Sequence, residues 1–149
     1  MKKIFFFLYF LTAISLQAQT NVDGNSKIAK DNFSFGNFKG ALEDYLLLIK
    51  TDSTNTTYNF RIGVCYLNTN IDKTKALNYL LKASADPKCD NKVFYELGRA
   101  YMFCYKFDDA IQSFKKYNEI TSGNEAFIIS TARQIEMCEE AKKLVKKPV

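Results

Sequence analysis

An all-α fold, three stacked helix pairs closed by one long helix, is what this 149-residue chain predicts. The first observation behind it is a period. Ala41, Ala76 and Ala110 recur 35 and 34 residues apart, and a step of that size carrying two helices is the mark of a helical repeat array. The second is the pairing of small with large residues at helical spacing. Leu97, Gly98 and Tyr101 share one face of a first helix, and Ala110, Phe114 and Tyr117 one face of a second. Small residues let two helices approach closely, and rings fill the space beside them. Ile62, Gly63 and Tyr66 with Ala76, Leu80 and Ala83 repeat the arrangement one step earlier, and Ala29, Gly36, Phe38, Ala41, Tyr45 and Leu48 once more before that. The third observation is punctuation: polar, Gly and Pro residues fall between the apolar runs.

In chain order, residues 1–18 stand apart. Lys2 and Lys3 precede an apolar run from Ile4 to Ile14, and the small Ala18 follows, which is the plan of a secretory signal peptide. A retained anchor is the rival, but the run falls short of the roughly 20 apolar residues needed to span a bilayer. Residues 19–25 form a flexible lead-in. The first repeat, 26–54, has a helix over Ser26–Phe35 that stops at Gly36-Asn37, then one from Phe38 to Lys50. The second, 56–87, has a helix over Thr57–Leu67 and another from Asp72 or Thr74 to Ala85. Its longer turn accounts for the 35-residue step, and Pro87 ends it by removing a donor and restricting Asp86.

The third repeat, 91–121, has helices over Asn91–Cys104 and Phe107–Glu119, with Asp108 and Asp109 at the positive end of the latter. Residues 124–146 form one long helix. Ala132 stands at the place of Gly98 and Ile135 at that of Tyr101, but no partner helix follows, so the element caps the last apolar face. Residues 147–149 are a tail or the start of a linker.

Composition narrows the function. The formal charge is +5 and falls to +3 without Lys2 and Lys3, too mild to argue for nucleic acid. There is no histidine, which removes the commonest proton carrier and many metal sites. Glu139 and Glu140 are adjacent and cannot face each other across a substrate, and no Gly-rich phosphate loop occurs. The expectation is therefore no enzyme, no cofactor and no metal. Four cysteines, Cys65, Cys89, Cys104 and Cys138, follow the export signal. Free buried thiols are one reading and disulfides the other; if one bridge forms, Cys104–Cys138 is the expected pair.

The unit Phe94, Leu97-Gly98, Tyr101, Phe107, Ala110, Phe114 resembles the tetratricopeptide repeat (TPR) family, and the resemblance extends over Ser26–Thr121 plus the capping helix. The second unit departs from the pattern at Asn59, and the first at Ala29 and Asn32. The resemblance implies a right-handed superhelix whose leading helices line a concave face. More loosely, an exported set of repeats ending in RQIEMCEEAKKLVKKPV looks like the N-terminal part of larger Bacteroidetes envelope proteins. In these the repeats are followed by a β-propeller and an OmpA-like peptidoglycan-binding domain, and some members serve type IX secretion or gliding motility. Asp52-Ser53-Thr54 resembles the short O-glycosylation signal of that phylum, which would make Ser53 the acceptor.

On the concave face the leading helices would present Lys30 and Phe33, then Phe60, Arg61, Val64 and Leu67, then Tyr95, Arg99, Met102 and Phe103, and on the cap Ile129, Arg133 and Met137. Aromatics, methionine and arginine together are a peptide-binding composition. The competing reading is that Val64, Leu67 and Ile129 simply pack between adjacent leading helices. The function expected is a non-catalytic protein-interaction scaffold in the periplasm, associated with the outer membrane or cell wall. It would dock a peptide or partner domain of an envelope assembly, with peptidoglycan reached only through domains absent here. It would carry no membrane span after signal cleavage. Two other classes stay open: a structural spacer without a separate ligand, and a small-molecule or glycan binder.

Overall fold

The computed structural model describes residues 24–121 and 125–145, as helices and the turns between them. The expected signal peptide at 1–18 and tail at 147–149 lie outside these residues. Helix α1 covers 24–34, so Gly24 and Asn25 are already helical rather than part of a lead-in. Then come α2 (Phe38–Leu48), α3 (Thr56–Leu67), a 3-10 turn (Lys73–Lys75) leading into α4 (Ala76–Ser84), α5 (Lys92–Phe103), α6 (Phe107–Ile120) and α7 (Glu125–Val145).

Short polar side chains start these helices where the first backbone amides need acceptors. Asn37 accepts from the Gly40 amide at 3.2 Å, and Asn55 from that of Tyr58 at 3.0 Å. Asp72 holds the Thr74 amide at 3.1 Å and its hydroxyl at 2.6 Å, which is why the chain enters α4 through a 3-10 turn. Asp108 and Asp109 occupy the first turn of α6. Two ends share one design. After α1, Asn37 N–H bonds to Asn32 C=O and Gly36 N–H to Phe33 C=O; after α5, Lys106 N–H bonds to Tyr101 C=O and Tyr105 N–H to Met102 C=O. This double bond pattern needs a left-handed residue. Gly36 supplies it at φ 76°, whereas Tyr105 adopts it at φ 57° despite its side chain.

The helices pair antiparallel in sequence order, α3 with α4 and α5 with α6, and successive pairs stack through α2 on α3, α4 on α5 and α6 on α7. The first pair is locked by Phe33, edge-on to Phe38 at 5.7 Å and to Tyr45 at 6.4 Å. Within the next two, the glycines mark the closest approach. A Cβ on Gly63 would lie 2.5 Å from Leu80 Cγ, and one on Gly98 2.5 Å from Phe114 Cε1. Ala41, Ala76 and Ala110 are completely buried opposite these seams. Tyr66 is in the core and Tyr101 half-buried.

Two apolar clusters result. The larger runs from Ala29 through Tyr45, Ile62 and Leu80 to Leu97 and Ala100. The smaller joins Ala110, Ile111 and Phe114 on α6 to Cys138 on α7, and Tyr101 packs against both. The expected Cys104–Cys138 bridge is not formed, and all four cysteines are free. The physical reason is partition between clusters: Cys104 packs against the larger one, while Cys138 is sealed in the smaller beneath α6. Burial pushes the Cys65 thiol up to about 12.

Candidate functional site

Three leading helices, α1, α3 and α5, and the loop before α5 enclose a groove of about 550 Å³. Phe33 from α1 and Phe60 and Val64 from α3 give it an apolar floor beside Arg61, and Glu96 and Lys92 from α5 form the far wall. Arg61 is planted there by two rings. Its guanidinium lies 5.5 Å from the centroids of both Phe33 and Tyr45 and donates to the Tyr45 hydroxyl, so stacking and a hydrogen bond fix its direction. Burial raises the Tyr45 phenol above its ordinary value, against the opposing effect of Arg61.

Charges ring this floor. Asp86 accepts from the Lys88 amide at 2.9 Å and from the Thr56 hydroxyl at 2.7 Å, which holds its carboxyl below the usual range. Asp90 accepts from the Lys92 amide at 2.9 Å and so starts α5. Glu96 is raised by burial, with Arg99, its partner at 2.7 Å, opposing the shift. The groove thus sets cations (Arg61, Lys88, Lys92) and anions (Asp86, Asp90, Glu96) around aromatic rings. Such a surface can grip a chain by its apolar side chains and pair charges of both signs at the edges.

A second hollow, about 300 Å³, lies between Lys92, Tyr95, Glu96, Tyr117 and Ser130. Tyr95 is held in it edge-on to Phe114 at 5.6 Å and tilted against Tyr117 at 5.6 Å.

The expected inner row is therefore divided. Phe33, Phe60, Arg61 and Val64 meet in the main groove, and Tyr95 lines the second hollow. Leu67, 1% exposed, is in the core and cannot meet a ligand, because α3 is covered on several sides at once; Val64 shows only its edge. Arg99 is spent on Glu96 and, at 3.4 Å, on Asn68 of the preceding pair. Met102 packs against the smaller cluster, and exposed Phe103 carries the Lys73 ammonium 4.8 Å over its ring. Lys30 is exposed on α1 outside the groove lining. Ile129, Arg133 and Met137 are exposed on α7 and line neither hollow, although Ser130 between the first two lines the second. Sequence reasoning missed Thr56, Asp86, Lys88, Asp90, Lys92 and Glu96 as groove residues. For the loop residues the signal was present in the run Asp86–Asp90, whose alternating charges lie between two helices, but a loop has no period to show where it points. Ser53 is exposed, and its carbonyl accepts from Asn59 Nδ2 at 3.1 Å. Among the described residues no group of three His, Cys, Asp or Glu side chains could hold a metal ion, and no helix is long and apolar enough to cross a membrane.

Solved structures share this arrangement of helix pairs. The first TPR domain of human RPAP3 superposes with a TM-score of 0.64 at 15% identity, over 82% of this chain and 92% of that one. This chain has a TPR fold. The Yersinia enterocolitica type III secretion chaperone SycD, in complex with a peptide of the translocator YopD, gives 0.63 at 13% identity, over 86% of this chain and 96% of that one. PcrH in complex with the chaperone-binding region of PopD gives 0.63 at 13% identity over the same shares. Identities this low speak for the TPR fold alone. No family model matches the sequence, and neither does any curated protein.

Proposed function

We propose that this chain is a non-catalytic scaffold that holds an extended segment of a partner protein in the groove between α1, α3 and α5. The observation that carries this reading is the ring-lined floor. Phe33, Phe60 and the anchored Arg61 are half-buried and turn their remaining surface into the groove. Solved SycD and PcrH complexes, of the same fold, hold peptide segments of YopD and PopD, which supports a peptide as the occupant. The charged rim around the floor suits a segment that alternates apolar residues with charges of both signs.

The cellular setting belongs to the same proposal. The plan of residues 1–18 supports export to the periplasm, and the resemblance to larger envelope proteins supports an outer-membrane or cell-wall assembly, of the type IX secretion or gliding kind. Any hold on peptidoglycan would come from domains outside this chain, and Ser53, on its exposed turn, is the proposed glycan acceptor. The test is capture from an envelope extract by wild-type protein and by the single variants Phe60→Ser and Lys92→Glu. A partner retained by wild type, identified by mass spectrometry and lost by more than tenfold in both variants, is the expected result. A partner retained equally by all three would place binding elsewhere and overturn the groove.

A further inference from the structure

The groove between α1, α3 and α5 carries both signs of charge, but its anions already have partners. Both oxygens of Asp86 are taken, by the Lys88 amide at 2.9 Å and the Thr56 hydroxyl at 2.7 Å. Asp90 holds the Lys92 amide at 2.9 Å, and Glu96 is paired with Arg99 at 2.7 Å. The cations differ. Among the described residues no carboxylate lies within ion-pair distance of Arg61, Lys88 or Lys92. Lys88 and Lys92 are exposed on the rim, where water serves them. Arg61 is half-buried between rings, its guanidinium 5.5 Å from the centroids of Phe33 and Tyr45. It donates to the Tyr45 hydroxyl and, among the described residues, makes no other hydrogen bond, although a guanidinium has five donors. A fixed, partly desolvated guanidinium with unused donors is a receptor for a planar carboxylate, which can accept from two of them at once.

We infer that Arg61 reads an aspartate or glutamate side chain of the bound segment, set between apolar residues that rest on Phe33 and Phe60. This rests on the groove being the docking site. Arg61 belongs to α3, the middle of the three helices that form the groove. A segment crossing from α1 to α5 therefore passes over it with chain continuing on both sides, so the carboxylate comes from a side chain and not from a chain end. The rim remains open to either sign, whereas this one position is fixed as acidic. Tyr45 is completely buried and meets no ligand; it is a positioning residue, which holds the guanidinium in its direction through the hydroxyl.

The test is selection of displayed random peptides on the full chain, followed by titration of the chosen sequences as synthetic peptides. They are expected to share an acidic residue flanked by apolar ones. Replacing that acid by its amide should weaken binding to wild type at least tenfold, but to Arg61→Gln less than twofold, because the group it paired with is already gone. Tyr45→Phe should weaken the acidic peptide severalfold and leave its amide counterpart unchanged, which a general loss of packing would not do. Amidating the carboxyl end of the peptide should change nothing. An acid-to-amide change that wild type tolerates, or that Arg61→Gln feels as strongly, overturns the inference and leaves the groove in place. A loss on amidating the end instead assigns Arg61 to a chain terminus and overturns it as well. Peptides held as firmly by Phe60→Ser as by wild type, or a selection that yields none, remove the docking reading itself and this inference with it.

Discussion

Replacing Gly98 with alanine sets two effects of opposite sign against each other. Alanine in a helix interior is better than glycine by about 1 kcal/mol. At this position the added methyl would stand 2.5, 2.6 and 2.7 Å from three atoms of the Phe114 ring, where carbon atoms ordinarily rest about 3.5–4.0 Å apart. The ring must retreat by about 1 Å. It has nowhere to go, being completely buried with Tyr95 5.6 Å away across its edge. Overpacking of this kind costs about 1–3 kcal/mol, and three contacts below 3 Å put it at or beyond the upper end, so a net loss of about 2 kcal/mol is expected. In urea titration that lowers the midpoint by about 1 M at unchanged slope. Adding Phe114→Leu to the alanine variant should cost at least about 1 kcal/mol less than adding it to wild type, because the smaller side chain makes room for the methyl. A Gly98→Ala protein more stable than wild type, or strictly additive changes, would refute the close-approach argument for both glycines.

Three further outcomes follow from particular residues. Tyr105 adopts a left-handed conformation at 78% exposure, so Tyr105→Gly should gain about 1 kcal/mol in thermal unfolding and Gly36→Ala lose about as much; a loss on the first change would contradict the strain assigned to that turn. With Cys65 at about 12 and completely buried, native protein should react with a thiolate-specific reagent at Cys89 and Cys104 well before Cys65. Its raised value also means that stability is full below pH 9 and falls as pH rises from about 9 to 12, because only the unfolded chain ionises there; Cys65→Ala should flatten that fall in denaturant titrations. Burial raises the Glu96 carboxyl, so its contribution is fully present below the ordinary carboxylate range and is lost as pH rises through its folded value. Glu96→Gln should therefore shrink the stability difference between pH 4 and pH 7, and an unchanged difference would show that Arg99 fully compensates the charge.

The helix pairs were legible because their cause is local. Gly63 and Gly98 face Leu80 and Phe114 at helical spacing, and the 34-residue step repeats the same contact, so period alone finds the seam. The site was legible only in part, because period tells which residues share a face and not which faces are covered. Leu67 and Ile129 occupied the same expected row. The first is sealed because α3 has neighbours on several sides, and the second stands in the open because no described helix lies over that side of α7. Asp86 and Pro87 were read as a helix stop, and the charges of the loop that follows reach the groove through the turn that Asp86 makes with Lys88 and Thr56. The four thiols were not decidable from spacing, since a bridge depends on which cluster each one joins.

Among the described residues Tyr101 is the one ring that packs against both apolar clusters, and beyond it the smaller cluster rests on four buried side chains. Cohesion in such a stack passes from neighbour to neighbour, so the last two helices can come away while the first five keep their own interior. Fraying should then begin at the carboxyl end. Hydrogen exchange would show it as amides of α6 and α7 opening at lower free energy than those of α3 and α4, with α5 dividing the two regimes at Tyr101.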